Sequence, residues 1–404
     1  MEVSKKKVRN YLPSDVSFDI LSKLSVKALK RFTCVCKIWA NLFENPQFIN
    51  MYRINLFSSK YNDCHNSHLL LKQTPNYGEF DDNDNIFLFS GETFDNKVKL
   101  NWPRPFEVYR ECIFIIGSIV NGILCLCQGN GLGDPSSFNT KVVLWNPSTE
   151  EFKLIPCGSF KSTFLKAFPT NTVFEDLRDI TICVNIHGFG YDPITDDYKL
   201  IRFFYSIDNI KFGHDPNNCI NDETLWQIYS LKSNCWRDLQ VKMPTNFLNE
   251  YWQNTGDSMY FNGMCHWWGY EDYHKEEVLV SFNFSDEVFI TTHTNPNYCG
   301  FVKHVMVLKD CISMIEYNNF FNLYISVLGE IGVSESWTRL FRIGPLQDFI
   351  KPIGVGKNGD IFFNRGGNIE RFNLNTCMIE DIGFKGKIQS CQMVIYDNSI
   401  LPIG

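Results

Sequence analysis

The sequence predicts an α+β multidomain chain. It divides into a small N-terminal helical segment (residues 1–55), a connecting segment with first strands (56–110) and an all-β domain (111–404), a β-propeller of about six blades. Three observations carry this. Apolar residues recur at helical spacing in the first 55 positions. Beyond them, short β-rich runs alternate with turn signals. Within those runs an aromatic–polar turn–aromatic unit recurs at blade-like intervals.

The helical segment comes first. Leu12-Pro13 precedes Val16, Ile20, Leu21 and Leu24, an apolar stripe at helical spacing with Pro tolerated in the first turn. Ser25 can cap a second helix. Its apolar residues, Leu29, Phe32, Val35, Cys36, Trp39, Leu42 and Phe43, fall in one arc, while Lys30, Cys34, Lys37 and Asn41 lie opposite. Cys34 and Cys36 stand ~160° apart around such a helix, so they cannot chelate one ion. Cys36 belongs to the apolar face, where free cysteine behaves as a small hydrophobe.

The middle segment contains an acidic loop, EFDDNDN at 79–85, before the strand-like IFLF. CIFIIGSIVNGILCLC (112–127) is shorter than the ~20 residues of a membrane-spanning helix. It also contains Asn121-Gly122, a hairpin signal, so it reads as two strands. Residues 207–224 read as a long polar loop.

The repeat begins at Trp145 and returns at Tyr191, Tyr229, Phe282, Tyr324 and Phe372, a mean spacing of about 45 residues. In most copies a second apolar residue follows seven positions later: Phe152, Tyr198, Trp236, Phe289 and Ile379. The copy at Tyr324 reaches Trp337 across an insertion. A further strand precedes several copies: NGILCLC, NGMCHWWG and NGDIFFN. One such small sheet cannot cover its own faces, whereas radially packed blades bury one another. Chance hairpins in any β-rich chain are the bland alternative, and six copies at this interval favour the propeller.

Composition bounds function. Aromatics make up 15% of the chain, with 35 Phe, which suits strands and filled interiors. The net charge of −7 conceals an asymmetry: residues 1–55 hold ten Lys/Arg against four Asp/Glu, leaving 28 against 41 beyond them. An acidic body argues against a nucleic-acid surface, and a basic N-terminal segment suits an acidic protein partner. Fifteen cysteines without a fixed framework, and no apolar leader, fit a reducing compartment, cytoplasmic or nuclear.

Gly354-Val-Gly356-Lys-Asn-Gly359 has dinucleotide-loop spacing but leads into the strand-like DIFFN, so it is a turn. Asp81, Asn83, Asn85 and Glu92 match calcium-loop positions, but Ile86 stands where glycine is required. Cys64, His65 and His68 lack a spaced second pair for zinc. Cys125 and Cys127 share one strand face among apolar neighbours, as core residues do. Lys5-Lys6-Lys7-Val8-Arg9 is a solvated arm or a short import signal. No catalytic residues, metal or cofactor are expected.

The stretch LPSDVSFDILSKLSVKALKRFTCVCKIWANLFENPQF resembles the F-box, with Ser25 where the family usually has Pro. The phrases GSIVNGILCLC, VVLWNPSTEEFKLIP, HGFGYDPITDDYKLI, WQIYSLKSNCWRDL and SESWTRLF resemble the plant F-box-associated, kelch-like domain. Plant S-locus F-box proteins share this layout. The resemblance implies a Skp-family adaptor and, through it, a cullin as partners. The residues it marks for the adaptor contact are Leu12, Pro13, Ile20, Leu21, Val26, Leu29, Val35, Cys36 and Trp39. It implies a non-catalytic substrate receptor of an SCF-type E3 ubiquitin ligase with an unidentified protein target. A scaffold outside a ligase and a propeller-fold hydrolase are the alternatives.

Overall fold

A computed structural model describes residues 13–24, 32, 35, 37–40, 45, 47–48, 51, 68–73, 84–90, 96–106, 113–128, 141–158, 180–208, 225–241, 258–271, 276–294, 302–308, 310–318, 322–346, 350–356, 360–374, 376, 378–387 and 391–404. Among them are 24 strands in six four-stranded antiparallel sheets.

Five sheets use consecutive strands, written from the inner to the outer edge. One contains β4 (Ile113–Val120), β5 (Ile123–Gln128), β6 (Lys141–Asn146) and β7 (Glu151–Ile155). The next contains β8 (Ile180–Asp192), β9 (Asp197–Asp208), β10 (Leu225–Ser230) and β11 (Cys235–Asp238). Then come β12 (Met259–Phe261), β13 (Met264–Glu271), β14 (Glu276–Asn283) and β15 (Val288–His293). The fourth contains β16 (Val302–Leu308), β17 (Cys311–Tyr317), β18 (Leu323–Leu328) and β19 (Trp337–Ile343). The fifth contains β20 (Ile350–Val355), β21 (Ile361–Arg365), β22 (Asn368–Asn373) and β23 (Met378–Lys385).

The sixth sheet closes the ring. β24 (Gln392–Tyr396) pairs with β1 (His68–Gln73), which is followed by β2 (Asn85–Ser90) and β3 (Asn96–Leu100). The segment 56–110, expected to connect and to supply first strands, thus provides three of this blade's four. From Ile113 on, the CIFIIGSIVNGILCLC stretch forms β4 and β5 with a turn at Asn121-Gly122, both at positive φ. No described helix is long and apolar enough to cross a membrane.

Period-two alternation builds the core. On β5, Leu124 and Leu126 face the β1–β3/β24 blade, while Ile123 and Cys125 face the β8–β11 blade. On β14, Leu279 faces the β16–β19 blade, while Val278, Val280 and Phe282 face β8–β11. The inner strands of the blades are buried on both faces, so strands such as β5 and β14 read as nearly continuous apolar runs, whereas outer strands such as β3 and β23 are mostly exposed. Apolar cores lie between all six neighbouring pairs, the last joining the β20–β23 blade to the closing sheet. There Gly354 allows backbone contact: a Cβ would sit 2.0 Å from the Met393 carbonyl oxygen.

Four repeat copies occupy equivalent places, the turn between third and fourth strands. Trp145, Tyr229, Phe282 and Phe372 are buried and pair across it with Phe152, Trp236, Phe289 and Ile379. The turn has its own chemistry. Asn146, Asn283 and Asn373 accept hydrogen bonds through Oδ1 from backbone N–H groups two or three residues on. Glu150, Asn234 and Glu287, five residues after their aromatics, adopt left-handed φ of 51–61°.

Tyr191 breaks the expected series. It ends β8 and pairs with Tyr198 on β9, so it shares a blade with Tyr229 rather than leading the preceding one. The cause is identical turn chemistry: Asp192 Oδ1 accepts the Ile194 N–H, and Asp196 is left-handed. Tyr324 does lie on a third strand, β18, but it pairs with Arg342, because β18 runs on to Leu328, which is the residue that pairs with Trp337 across the longer connection 329–336.

Candidate functional site

The described helices of the N-terminal segment are α1 (Ser14–Leu21) and the short α2 (Lys37–Ala40). α1 starts at exposed Pro13, whose carbonyl accepts Ser17 N–H and Oγ–H bonds at 3.0 Å. Asp15 suits the positive end of the helix dipole. The Asp19–Lys23 pair is exposed and contributes little.

α1 separates its apolar residues into two lines. Leu21 is buried, and Phe18 packs edge-on against fully buried Phe48 at 5.6 Å. Asn45 Oδ1 accepts the Gln47 and Phe48 N–H groups. Leu24, Phe32 and Trp39 cover the same cluster, with Phe32 and Trp39 edge-to-face at 5.4 Å. The other line faces solvent: Val16 is 43% and Ile20 49% exposed. Four residues apart on one helix, they are surface neighbours.

Val35 corrects the single-arc expectation. Its N–H bonds back to the Phe32 carbonyl in a turn, and its side chain is 63% exposed, whereas Phe32 and Trp39 are half-buried. Of the nine residues marked for the adaptor contact, Pro13, Ile20 and Val35 are exposed. Leu21 and Trp39 serve the motif's own interior. Leu12, Val26, Leu29 and Cys36 lie outside the described residues, as does Ser25. Val16, exposed beside Ile20, belongs with the first group. Its place in the α1 stripe was the available signal.

The cluster also contains Ile400 and Leu401, which follow β24. The segment therefore sits at the end of the propeller where β24 finishes and β1 begins. The Asn121-Gly122 and Asn146–Glu150 turns lie at this end too, since both reach residues 398–401. The strand ends bounding several long connections, Gln128/Lys141, Ile155/Ile180 and Asp208/Leu225, lie at the opposite end of their blades.

Other candidate motifs resolve as structure. Asn85 and Ile86 open β2 rather than a calcium loop; Asp81 and Asn83 lie outside the described residues, as do Cys64, His65 and residues 5–9. β21 follows the Gly354–Gly359 stretch. Burial pushes the Cys127 thiol up to about 12 and holds Cys125 well above its ordinary value. Among the described residues no three His, Cys, Asp or Glu gather to hold a metal ion.

A helical motif is thus seated on one end of a six-bladed propeller. Residues 111–369 match the F-box associated beta propeller domain and residues 10–50 match the F-box domain. The chain belongs to the F-box-associated β-propeller family. An Arabidopsis thaliana F-box/kelch-repeat protein is 25% identical over 347 residues, covering 85% of this chain and 82% of its own length. An Arabidopsis F-box protein is 24% identical over 407 residues, covering 96% and 85%. The solved structure of TolB from Acinetobacter baumannii superposes with a TM-score of 0.46 at 7% identity, covering 87% of this chain and 73% of its own.

Proposed function

We propose that this chain is the substrate receptor of an SCF-type E3 ubiquitin ligase. The F-box docks on a Skp-family adaptor, and the propeller holds a protein target. The observation that carries this is the solvent-facing line Val16 and Ile20, with Val35, on a motif whose inner face is already covered. Scattered exposed aliphatics are ordinary. Two adjacent on one helix, in a motif matching the F-box, form a docking surface. Val16 joins Pro13, Ile20 and Val35 in the proposed contact.

The receptor acts by proximity. Holding a target beside a ubiquitin-charged conjugating enzyme raises its effective concentration and requires no reacting group from this chain. The target is assigned to the propeller end away from the F-box, where long connections leave the blades and the adaptor leaves room.

Val16→Asp with Ile20→Asp tests the reading. Both side chains are surface groups, so the fold should persist, while desolvated charges in the contact should reduce adaptor co-purification at least ~100-fold. Unchanged adaptor binding overturns the assignment. Adaptor and cullin recovered together with the wild-type chain support the ligase; adaptor without cullin supports the scaffold alternative.

A further inference from the structure

The residues after β24 grip both parts of the chain. Residues 397–404 form no helix or strand, yet Ser399, Ile400, Leu401 and Ile403 are buried. On one side they are held by the β4–β7 blade. Fully buried Asn146 donates from Nδ2 to the Ser399 carbonyl at 3.0 Å and the Leu401 carbonyl at 3.1 Å. Its Oδ1 accepts the Ser148 N–H, so one side chain both shapes the β6–β7 turn and clasps the segment. Leu401 N–H donates to Ser399 Oγ at 3.1 Å. Gly122, at φ 80°, lies so close that a Cβ there would meet Ser399 Cβ at 2.2 Å. Further on, Ile403 enters the core between the β4–β7 and β8–β11 blades, and Lys153 Nζ donates to the Gly404 carbonyl at 3.1 Å.

On the other side, Ile400 and Leu401 pack into the cluster of Leu21 and Phe48. The F-box interior thus uses two residues from the far end of the described sequence as its floor. The direct covalent path, residues 52–67, would reach ~50 Å if extended, and its length alone sets no orientation.

The geometry points to Ile400 and Leu401 as positioning residues that fix the orientation of the F-box on the propeller. They thereby fix the distance between an adaptor at one end and a target at the other. This rests on the receptor reading above. Transfer by proximity depends on that distance, and a swivelling F-box dilutes the effective concentration it creates.

The test uses the full chain, alone and with the adaptor, and amine cross-linking from exposed Lys23 on the F-box. In the wild type Lys23 should link to a small fixed set of propeller lysines. Ile400→Asp with Leu401→Asp should reduce those links at least about tenfold, because two buried aliphatic anchors are lost. Adaptor co-purification and the propeller's urea midpoint should stay unchanged. Ile400→Ala should give an intermediate loss, and Leu401→Met should retain the wild-type pattern. Unchanged links in the double variant overturn the proposal. Loss of adaptor together with the links also overturns it, since residues 400–401 would then merely complete the F-box fold. The links are read on the chain alone as well. A wild-type chain that never binds adaptor overturns the receptor reading, while the seat is judged on its links.

Discussion

Trp145→Ala and Phe152→Ala are a matched pair of perturbations, one on each side of the same turn. The residues are cross-strand partners on β6 and β7, but Trp145 is 3% exposed and Phe152 38%. The indole fills the core between its own blade and the closing sheet, beside Leu70 and Ile86 and near Tyr396 of β24. Removing a buried aromatic of roughly 200 Å² at about 25 cal/mol/Å² loses about 5 kcal/mol of transfer free energy. Large-to-small replacements of buried aromatics typically fall at 3–5 kcal/mol. We therefore expect about 4 kcal/mol for Trp145→Ala and about 1 kcal/mol for Phe152→Ala. Urea unfolding of the full chain measures both, with the midpoint shift read at constant slope. Hydrogen exchange at Met393–Tyr396 should rise in the tryptophan variant alone, because its cavity opens beside the closing strand. Equal losses for the two variants, or less than about 1.5 kcal/mol for Trp145→Ala, would refute the claim that interblade burial rather than turn formation stabilises this hairpin.

Acidification should destabilise the propeller through two histidines. Burial lowers His187 to about 3 and His266 to about 4. The unfolded chain takes up these protons near pH 6.5 and the folded chain does not, so stability is full above that pH and falls below it. The loss is about 2 kcal/mol per histidine at pH 5. His187→Phe with His266→Asn should flatten the change between pH 7 and 5, and an unaltered slope contradicts the assignment. Asp192 is buried; burial opposes its charge, but hydrogen bonds from Lys199, Ser285, Thr195 and the Ile194 N–H hold its carboxyl well below the usual carboxylate range. Its contribution is fully present above the unfolded value near 4 and is lost progressively below it, until pH has fallen through the depressed folded value. Asp192→Ala should cost about 3–5 kcal/mol, because the turn loses its acceptor and buried Lys199 keeps only the Phe284 carbonyl and the longer Glu287 pair; adding Lys199→Met should recover part of that, and strict additivity in urea unfolding contradicts the coupling. Exposed Cys157, Cys235 and Cys311 should alkylate in the native protein, whereas Cys125, Cys265 and Cys391 should wait for unfolding. Mass spectrometry after a short iodoacetamide pulse reads this directly.

Local chemistry was the legible part of the fold. Asn121-Gly122 announced its hairpin because two successive positive φ angles require such residues. The Trp145, Tyr229, Phe282 and Phe372 turns were equally plain, since an aromatic and a side-chain-capped polar turn are contiguous in sequence. The same locality misplaced Tyr191: an Asp-capped turn looks alike between first and second strands or third and fourth, and only pairing with distant strands distinguishes them. The blade formed by β24 with β1, β2 and β3 left no local trace, because residues 68 and 396 meet only in space. In the F-box the apolar positions were readable, but not their direction. Leu21 points inward because Ile400 and Leu401 cover it, and α1 contains no record of that. Val35 was readable as apolar and as a contact residue, but not as a side chain that stands 63% exposed beyond a turn.

Closure of the ring by β24 has a consequence for synthesis. The F-box leaves the ribosome before the propeller, and the strand that completes the first blade emerges only after the other five blades have been made. Until then β1 has one edge unpaired, and Leu69, Leu71 and Phe89 lack Met393 as a neighbour. Unpaired edges and uncovered apolar faces of this kind make intermediates prone to aggregate. Ile400 and Leu401 arrive a few residues later still, so the F-box gains its floor only once the ring can shut. A chain interrupted before residue 392 would present an F-box with no seat and a propeller with an open seam. Synthesis of residues 392–404 therefore both shuts the ring and supplies the seat of the F-box.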